Sequence, residues 1–240
     1  MDIKLHKLHQ EVQATHWWFR VKDNLLKDIA KKYFKGATVL DFGCNYGHSV
    51  KLLNDWGYNA LGVDVSREAI SFGKSLKIEN IYLDSEKTFP KNHFDAVISL
   101  DVLEHIEDDK GALRYLTEVV KPGGYIVIMV PAFMFMWGIQ DVISQHYRRY
   151  TLSTLTKLAN EVGGLEIIRK TYFNTTLFIP IALVRLWARI FPPKSRDSDL
   201  NMNNWFLNGL FFIIFDIERR IFKYLNFPFG VSAVIILKKK

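Results

Sequence analysis

The sequence predicts an α/β fold, a doubly wound and mostly parallel sheet with helices on both faces. Three observations predict it. Strand-length apolar runs alternate regularly with segments of helical period across the first two thirds of the chain. The first of these runs, "VLDFGCNYG" (39–47), ends in an aspartate and opens onto two glycines four apart. A solvent-side turn needs one glycine at most, whereas a backbone that something approaches closely needs more. Finally, 240 residues of which 49% are hydrophobic can fill one α/β core and leave enough chain for a subdomain.

The elements follow in order. Leu5, Leu8, Val12, Val21, Leu25 and Ile29 recur at helical spacing, which predicts helix over the first thirty-odd residues. "ATVLDFG" is a strand, and "GHSVKLLNDWG" is a helix closed by Gly57. "NALGVDV" is the next strand, after which Ser66 is placed to cap "REAISFGKSL". "IENIYLD" and "FDAVISL" are strands. "DDKGALRYLTEVV" is a helix stopped by "KPGG", and "GYIVIMVP" is a strand of the buried type. "TLSTLTKLANEVGG" is a helix capped by Thr151 and ended by glycines. "LEIIRKTYF" and "VSAVIILKK" are the last strands. Between them lies the one shift in composition, an apolar insertion over 174–229. This divides the chain into a helical cap (1–36), the main α/β unit (37–173), the insertion (174–229) and a returning strand (230–240).

Composition narrows the function classes. The net charge of +7 is spread over the sequence without a block of five like charges, so it describes surfaces and not a tail. A basic surface suits nucleic acid, anionic lipid or an acidic small molecule. One cysteine, Cys44, excludes an internal disulfide and fits a reducing compartment. The segment "MDIKLHKLHQ" lacks the apolar core of a signal peptide, and no charge-free apolar run reaches 18 residues. A cytoplasmic location is expected, with peripheral attachment at the inner face of the membrane as an option raised by the insertion.

In open parallel sheets ligands sit at the carboxyl ends of the strands, and "VLDFGCNYG" is the first such end. The nicotinamide pattern G-x-G-x-x-G fails at its second and third glycines, which disfavours a nicotinamide oxidoreductase. Asp64 ends the second strand in "LGVDVS", where a carboxylate can take both hydroxyls of a ribose. Asp84 ends the third in "IYLDS", and "FDAVISLDVLEHIED" and "VVKPGGYIVIMVP" follow. In this order the set resembles the class I S-adenosylmethionine (SAM)-dependent methyltransferases, closely over 39–130 and in general fold over the whole chain. The resemblance implies a Rossmann-like, seven-stranded sheet whose last strand is antiparallel, with SAM as cofactor. It implies that the loop at Asp41, Gly43, Cys44 and Gly47 holds the methionine end. Asp64, with Val65 beside it, would bind the ribose side. Asp84 and Ser85 would lie near the adenine edge, and Leu100 and Asp101 near the sulfonium. Asn45 stands where the family pattern D-x-G-x-G-x-G has its middle glycine.

Two further stretches look like a subgroup associated with polysaccharide or lipid-linked metabolism: "HWWFR" (16–20) and "SQHYRRYT" (144–151). They make Trp17, Trp18, Arg20, Tyr147 and Arg148 candidates for acceptor contact. The plainer readings are core aromatics for the tryptophans and surface ion pairing for Arg148 and Arg149. His105, after the fourth strand, and His146, on the loop after the fifth, are the candidate acid–base groups. Cys44 has nothing to activate it and reads as a packing residue. No His, Cys and carboxylate set has metal-ligand spacing, so no metal is expected.

The insertion, "LFIPIALVRLWARIFPP" and "WFLNGLFFIIF" edged by Arg185, Arg189, Lys194, Arg196 and "ERRIFK", is a lid over the acceptor, a homodimer surface or a contact with an anionic membrane. The expected activity is methyl transfer from SAM to an oxygen or carbon of a small-molecule, saccharide or lipid-linked acceptor. The alternative is a non-catalytic SAM-binding partner at a membrane. Nucleic acid is not an expected partner, since no N-P-P-Y-type tetrapeptide occurs and the apolar insertion fits it poorly.

Overall fold

β-branched and apolar runs give the sheet its strands, and their alternating side chains give it two buried faces. The computed structural model describes residues 12, 13, 15–34, 36, 38–190 and 205–240. Among these, β1 (Thr38–Phe42), β2 (Asn59–Asp64), β3 (Ile81–Leu83), β4 (Phe94–Leu100), β5 (Val120–Pro131), β6 (Leu165–Phe173) and β7 (Ser232–Lys239) form one sheet. Its order is β3-β2-β1-β4-β5-β7-β6. The first five strands are parallel, and β7 runs antiparallel between β5 and β6. β1 pairs with both β2 and β4, so the chain reverses its direction of travel across the sheet there. The crevice at that reversal, outside the carboxyl ends of β1 and β4, is where such sheets bind ligands.

The helices are α1 (Trp17–Tyr33), α2 (His48–Asp55), α3 (Arg67–Ser75), α4 (Asp109–Val119), α5 (Ile139–Ile143), α6 (Leu152–Val162), α7 (Phe178–Ile190) and α8 (Trp205–Phe222). One face of the sheet, carrying Val39, Ala96, Ile98, Val127 and Ile236, packs against α1, α2, α3 and α8. The other, carrying Leu40, Val97, Ile126, Ile128 and Ile235, packs against α4 and α6. Local signals place the helices as expected. Ser66 Oγ accepts from Ala69 N–H, Thr151 Oγ1 from Thr154 N–H, and Gly163 closes α6 at φ 76°.

Three expectations change in detail. The N-terminal helix is interrupted at His16, whose ring accepts from Trp18 N–H and so caps α1. The third strand shortens to three residues: Ile78 N–H still donates to Gly73 O of the preceding helix, and pairing with β2 begins at Ile81. "KPGG" does not separate helix from strand: β5 begins at Val120 and carries these residues in a bulge, with the register against β4 shifting between Phe94 and Ala96.

The insertion between β6 and β7 supplies α7 and α8. α8 lies against α1: Trp17 stacks on Phe215 at 4.4 Å, Asn208 Oδ1 accepts from Trp17 N–H, and Asp28 pairs with Arg219 and Lys223. The buried Glu218 accepts from Thr175 and Thr176 N–H and anchors the start of α7. No helix among the described residues is long and apolar enough to cross a membrane.

Candidate active site

The loop after β1 owes its shape to three residues of positive φ, Gly43 (79°), Asn45 (51°) and Gly47 (88°). Asparagine is among the few residues that adopt this conformation readily, which is how Asn45 replaces a glycine. The space that a Cβ would take is already filled by protein. On Gly43 it would stand 2.4 Å from Val102 Cγ2, and on Gly47 2.7 Å from Ile81 Cγ2. Both glycines therefore serve close packing of the loop as well as its turn.

Asp64, at the end of β2, clasps this loop. Its Oδ2 accepts from Asn45 N–H at 2.7 Å and its Oδ1 from Ser66 N–H at 2.8 Å. Each oxygen keeps a second lone pair. Val65 beside it is 85% exposed and leaves an open apolar surface at the strand end. Asp41 is buried at the end of β1, and burial, together with the Asp64 charge, pushes its carboxyl up to about 7. Cys44 packs where Gly62 leaves room, and burial raises its thiol far above reactivity, so the packing reading is the one its surroundings fit. Asp84 and Ser85 form a single turn after β3, and Leu100 ends β4.

α1 reaches over the same edge. Lys22 Nζ pairs with Asp101 at 2.6 Å, and His48 Nε2 with Asp23 at 2.9 Å. Burial alone would lower the Lys22 ammonium, but the Asp101 carboxylate outweighs it and holds the group above its ordinary value. Asp101 itself sits in left-handed backbone at φ 57°, an uncommon conformation for a non-glycine residue at a strand end.

The opposite wall is assembled from distant chain. The turn Leu103–His105 follows β4, and the loop around α5 folds back on it through Tyr147 N–H donating to Glu104 O (2.7 Å) and Tyr150 Oη–H to Leu103 O (3.2 Å). This brings the His105 and His146 rings edge to face at 4.5 Å. Asp141 is fully buried and braces the loop: it accepts from Arg149 Nε (2.7 Å) and Nη2 (3.0 Å), Gly138 N–H (2.7 Å) and His146 Nδ1 (2.9 Å). Burial would raise its carboxyl, but these donors hold it far below the usual range. Glu104 is 1% exposed, and its Oε2 has no hydrogen-bond partner. Burial, then the Asp101 charge, raises its carboxyl well above the ordinary value. Glu104, His105 and His146 each bring a ligand-type atom within 4.8 Å of the others. Glu104 and His105 lie on one loop and His146 on another, so their proximity has no counterpart in sequence spacing.

A methyltransferase-domain family model matches residues 14–169, well over half of the chain. The chain belongs to the class I SAM-dependent methyltransferase family. It is 33% identical over 178 residues to the mitochondrial ubiquinone biosynthesis O-methyltransferase of Dictyostelium discoideum, covering 56% of this chain and 55% of that protein. It is 33% identical over 100 residues to the 2-methyl-6-phytyl-1,4-hydroquinone methyltransferase of Synechocystis, covering 39% and 31%. The match thus spans about half or less of these curated relatives. A solved SAM-dependent methyltransferase from Archaeoglobus fulgidus superposes with a TM-score of 0.57 over 90% of this chain and 94% of that one, at 21% identity.

The cofactor of this methyltransferase is SAM, and the residues present fit it. Asp64 offers unused lone pairs at a strand end, Val65 an open apolar surface beside them, and α2 a first turn with no side-chain cap. The remaining candidates are placed as follows. Trp17 and Trp18 are partly buried against α8 and Phe173, which is the core-aromatic arrangement. Arg20 lies 4.0 Å over the Phe212 ring. Arg148 pairs with Asp109 at 2.8 Å and donates to Glu107 O, within a cavity of about 330 Å³ between α4 and α6. Tyr147 is exposed beside the histidines. Sequence reading did not place Glu104 beside His105 and His146, and it gave no sign of the turn at Phe133, which at φ 58° stacks on Tyr172 and meets Phe178 of α7. "LEH" beside a strand end was the available signal for the first; nothing local signals the second.

Proposed function

We propose that this methyltransferase moves the sulfonium methyl group of SAM onto a hydroxyl oxygen of a small acceptor with an apolar tail. The observation that carries the reading is the convergence of Glu104, His105 and His146 at the carboxyl end of β4, beside Asp101. A hydroxyl must lose its proton as it attacks, and this wall of the crevice gathers groups that can receive or orient that proton. A carbon nucleophile would make less use of them.

SAM, when bound, supplies an electrophilic methyl carbon on a positively charged sulfur. The protein's part is positional. Asp64 would hold the ribose hydroxyls, Val65 would cover an adenine face, and Asp84 with Ser85 would meet its edge. Asp41, Gly43 and Gly47 shape the methionine end, Leu100 and Asp101 the floor beneath the methyl group. α1, tied down through Lys22 and Asp23, would act as the helical cap that excludes water.

The apolar tail is argued from the insertion. Leu183, Trp187, Ile213 and Ile217 are each more than half exposed on α7 and α8, with Arg220 beside them. Such a surface suits an acceptor that resides in an anionic membrane. One relative is named for ubiquinone biosynthesis and another as a methyltransferase of a phytyl-hydroquinone, which agrees with a tailed acceptor.

The test supplies SAM with hydroquinone acceptors, with and without a prenyl tail, and identifies the methylated atom by mass spectrometry. Oxygen methylation favouring the tailed acceptor is expected. His105→Ala and His146→Ala should each lower turnover roughly 10²–10⁴-fold with little change in SAM affinity. Parental turnover in both variants, or a product methylated at nitrogen or carbon, overturns the oxygen reading. Co-sedimentation should be stronger with anionic than with neutral vesicles and should weaken with salt. A salt-stable dimer without vesicle binding would assign the apolar face to a second copy instead.

A further inference from the structure

Burying a carboxylate without a hydrogen-bond partner is unfavourable, and the charges of Lys22 and Arg149 offset that only in part, since burial and Asp101 outweigh them at Glu104. Lys22 is committed to Asp101 at 2.6 Å, and Arg149 to Asp141 at 2.7 Å. Glu104 Oε2 is left without a hydrogen-bond partner, and one ligand-type atom each of Glu104, His105 and His146 lies within 4.8 Å of the others. We propose that Glu104, His105 and His146 form a binding site for one divalent transition-metal ion, of the zinc, cobalt or manganese type.

Two details favour a metal over an ordinary histidine pair. His146 points Nδ1 at Asp141, an acceptor-only carboxylate already clamped by Arg149 and Gly138. Nδ1 must therefore carry the proton, which leaves the Nε2 lone pair free. A carboxylate behind a histidine is the arrangement that fixes metal-ligating imidazoles and raises their basicity. Second, the set is mixed in depth. Glu104 is buried at the back, whereas His105 is exposed at the front, so an ion could enter from the crevice and keep open coordination positions facing it. Two imidazoles and one carboxylate suit borderline divalent ions better than calcium or magnesium. Ligand atoms about 2.0–2.2 Å from one ion stand roughly 3–4 Å apart, so closure needs only a small inward shift of the exposed ring.

What the ion would do rests on the methyl-transfer reading; where it binds does not. An open coordination position would take the acceptor's hydroxyl oxygen and lower its pKa, the O–H proton passing to solvent. The oxygen pair then forms the bond to the methyl carbon, while the carbon–sulfur bond breaks and its pair stays on sulfur.

The experiment strips the full-length protein with a chelator, titrates it with Co²⁺ by visible absorption, and displaces the Co²⁺ with Zn²⁺. One equivalent should bind. Losing a supporting second-layer carboxylate typically costs a metal site 10–100-fold, so His105→Ala and His146→Ala should each weaken Co²⁺ binding by about 100-fold or more. Glu104→Gln keeps shape and removes the charge. Its melting temperature should no longer rise with Zn²⁺, whereas that of the parent should. SAM binding, followed by calorimetry, should persist in all three variants. Loss of Co²⁺ with SAM binding retained supports the site whether or not methyl transfer is detected. A parent that binds no Co²⁺ or Zn²⁺, or histidine variants that bind Co²⁺ as the parent does, would overturn it.

Discussion

The two walls of the crevice are built from different materials. On the β1–β2 side the contacts are local and largely made by backbone: Asp64 takes amides from residues 45 and 66, and Gly43 and Cys44 N–H both donate to Val63 O. On the β4–β5 side they are long-range and largely charged: Asp141 with Arg149 and His146, Glu104 with its Oε2 unpartnered, and Lys22 reaching Asp101 from α1. Backbone contacts hold a shape whichever ligand arrives. Buried charges hold a shape only while their partners are present. Substitutions on the first wall should therefore act on cofactor affinity, and those on the second on stability and chemistry.

The largest expected effect is on the charged wall. Arg149→Met strands the buried Asp141 and should cost about 3–5 kcal/mol of stability by urea unfolding. A loss below about 1 kcal/mol would break the contrast between the walls. Asp64→Ala removes two partly exposed loop contacts and should cost less in unfolding than Arg149→Met, while weakening SAM by roughly ten- to a hundredfold in calorimetry, since charge-assisted hydrogen bonds contribute about 1.5–3 kcal/mol. Unchanged affinity would remove Asp64 from the cofactor site. The smallest effect sharpens the comparison through pH. Asp41 is a carboxyl raised in the folded state, so its contribution is full below its unfolded value of 3.8 and is lost as pH rises through about 7. Asp41→Asn should lack that loss. Its melting temperature relative to the parent should thus be higher at pH 8 than at pH 5, and a pH-independent difference would mean that Asp41 is ionised throughout.

The same contrast explains what the sequence made legible. Strand ends such as Asp41, Asp64 and Asp84 announce themselves because motif and neighbour are adjacent in the chain, and Ser66 and Thr151 cap helices by contacts three residues away. Asn45 was readable for the same reason, since its φ is a property of its own residue. Glu104 was not. Its environment comes from α1, β4 and the α5 loop together, and no spacing encodes that. A core role for Trp17 was among the readings, but its stacking partner was hidden, because Phe215 is nearly two hundred residues on.

That last contact has a consequence for how the chain matures. α1 lies near the start of the described residues, yet its partners are Asn208, Phe215, Arg219 and Lys223, and β7, wedged between β5 and β6, is made after every other described strand. A polypeptide emerging at roughly 5–20 residues per second exposes the tryptophans of α1 for many seconds before α8 exists to cover them. Pairings of such large sequence separation also form slowly. The cofactor loops should thus be structured on the ribosome before the roof above them closes, leaving a nascent intermediate whose uncovered aromatic face is a natural substrate for chaperones.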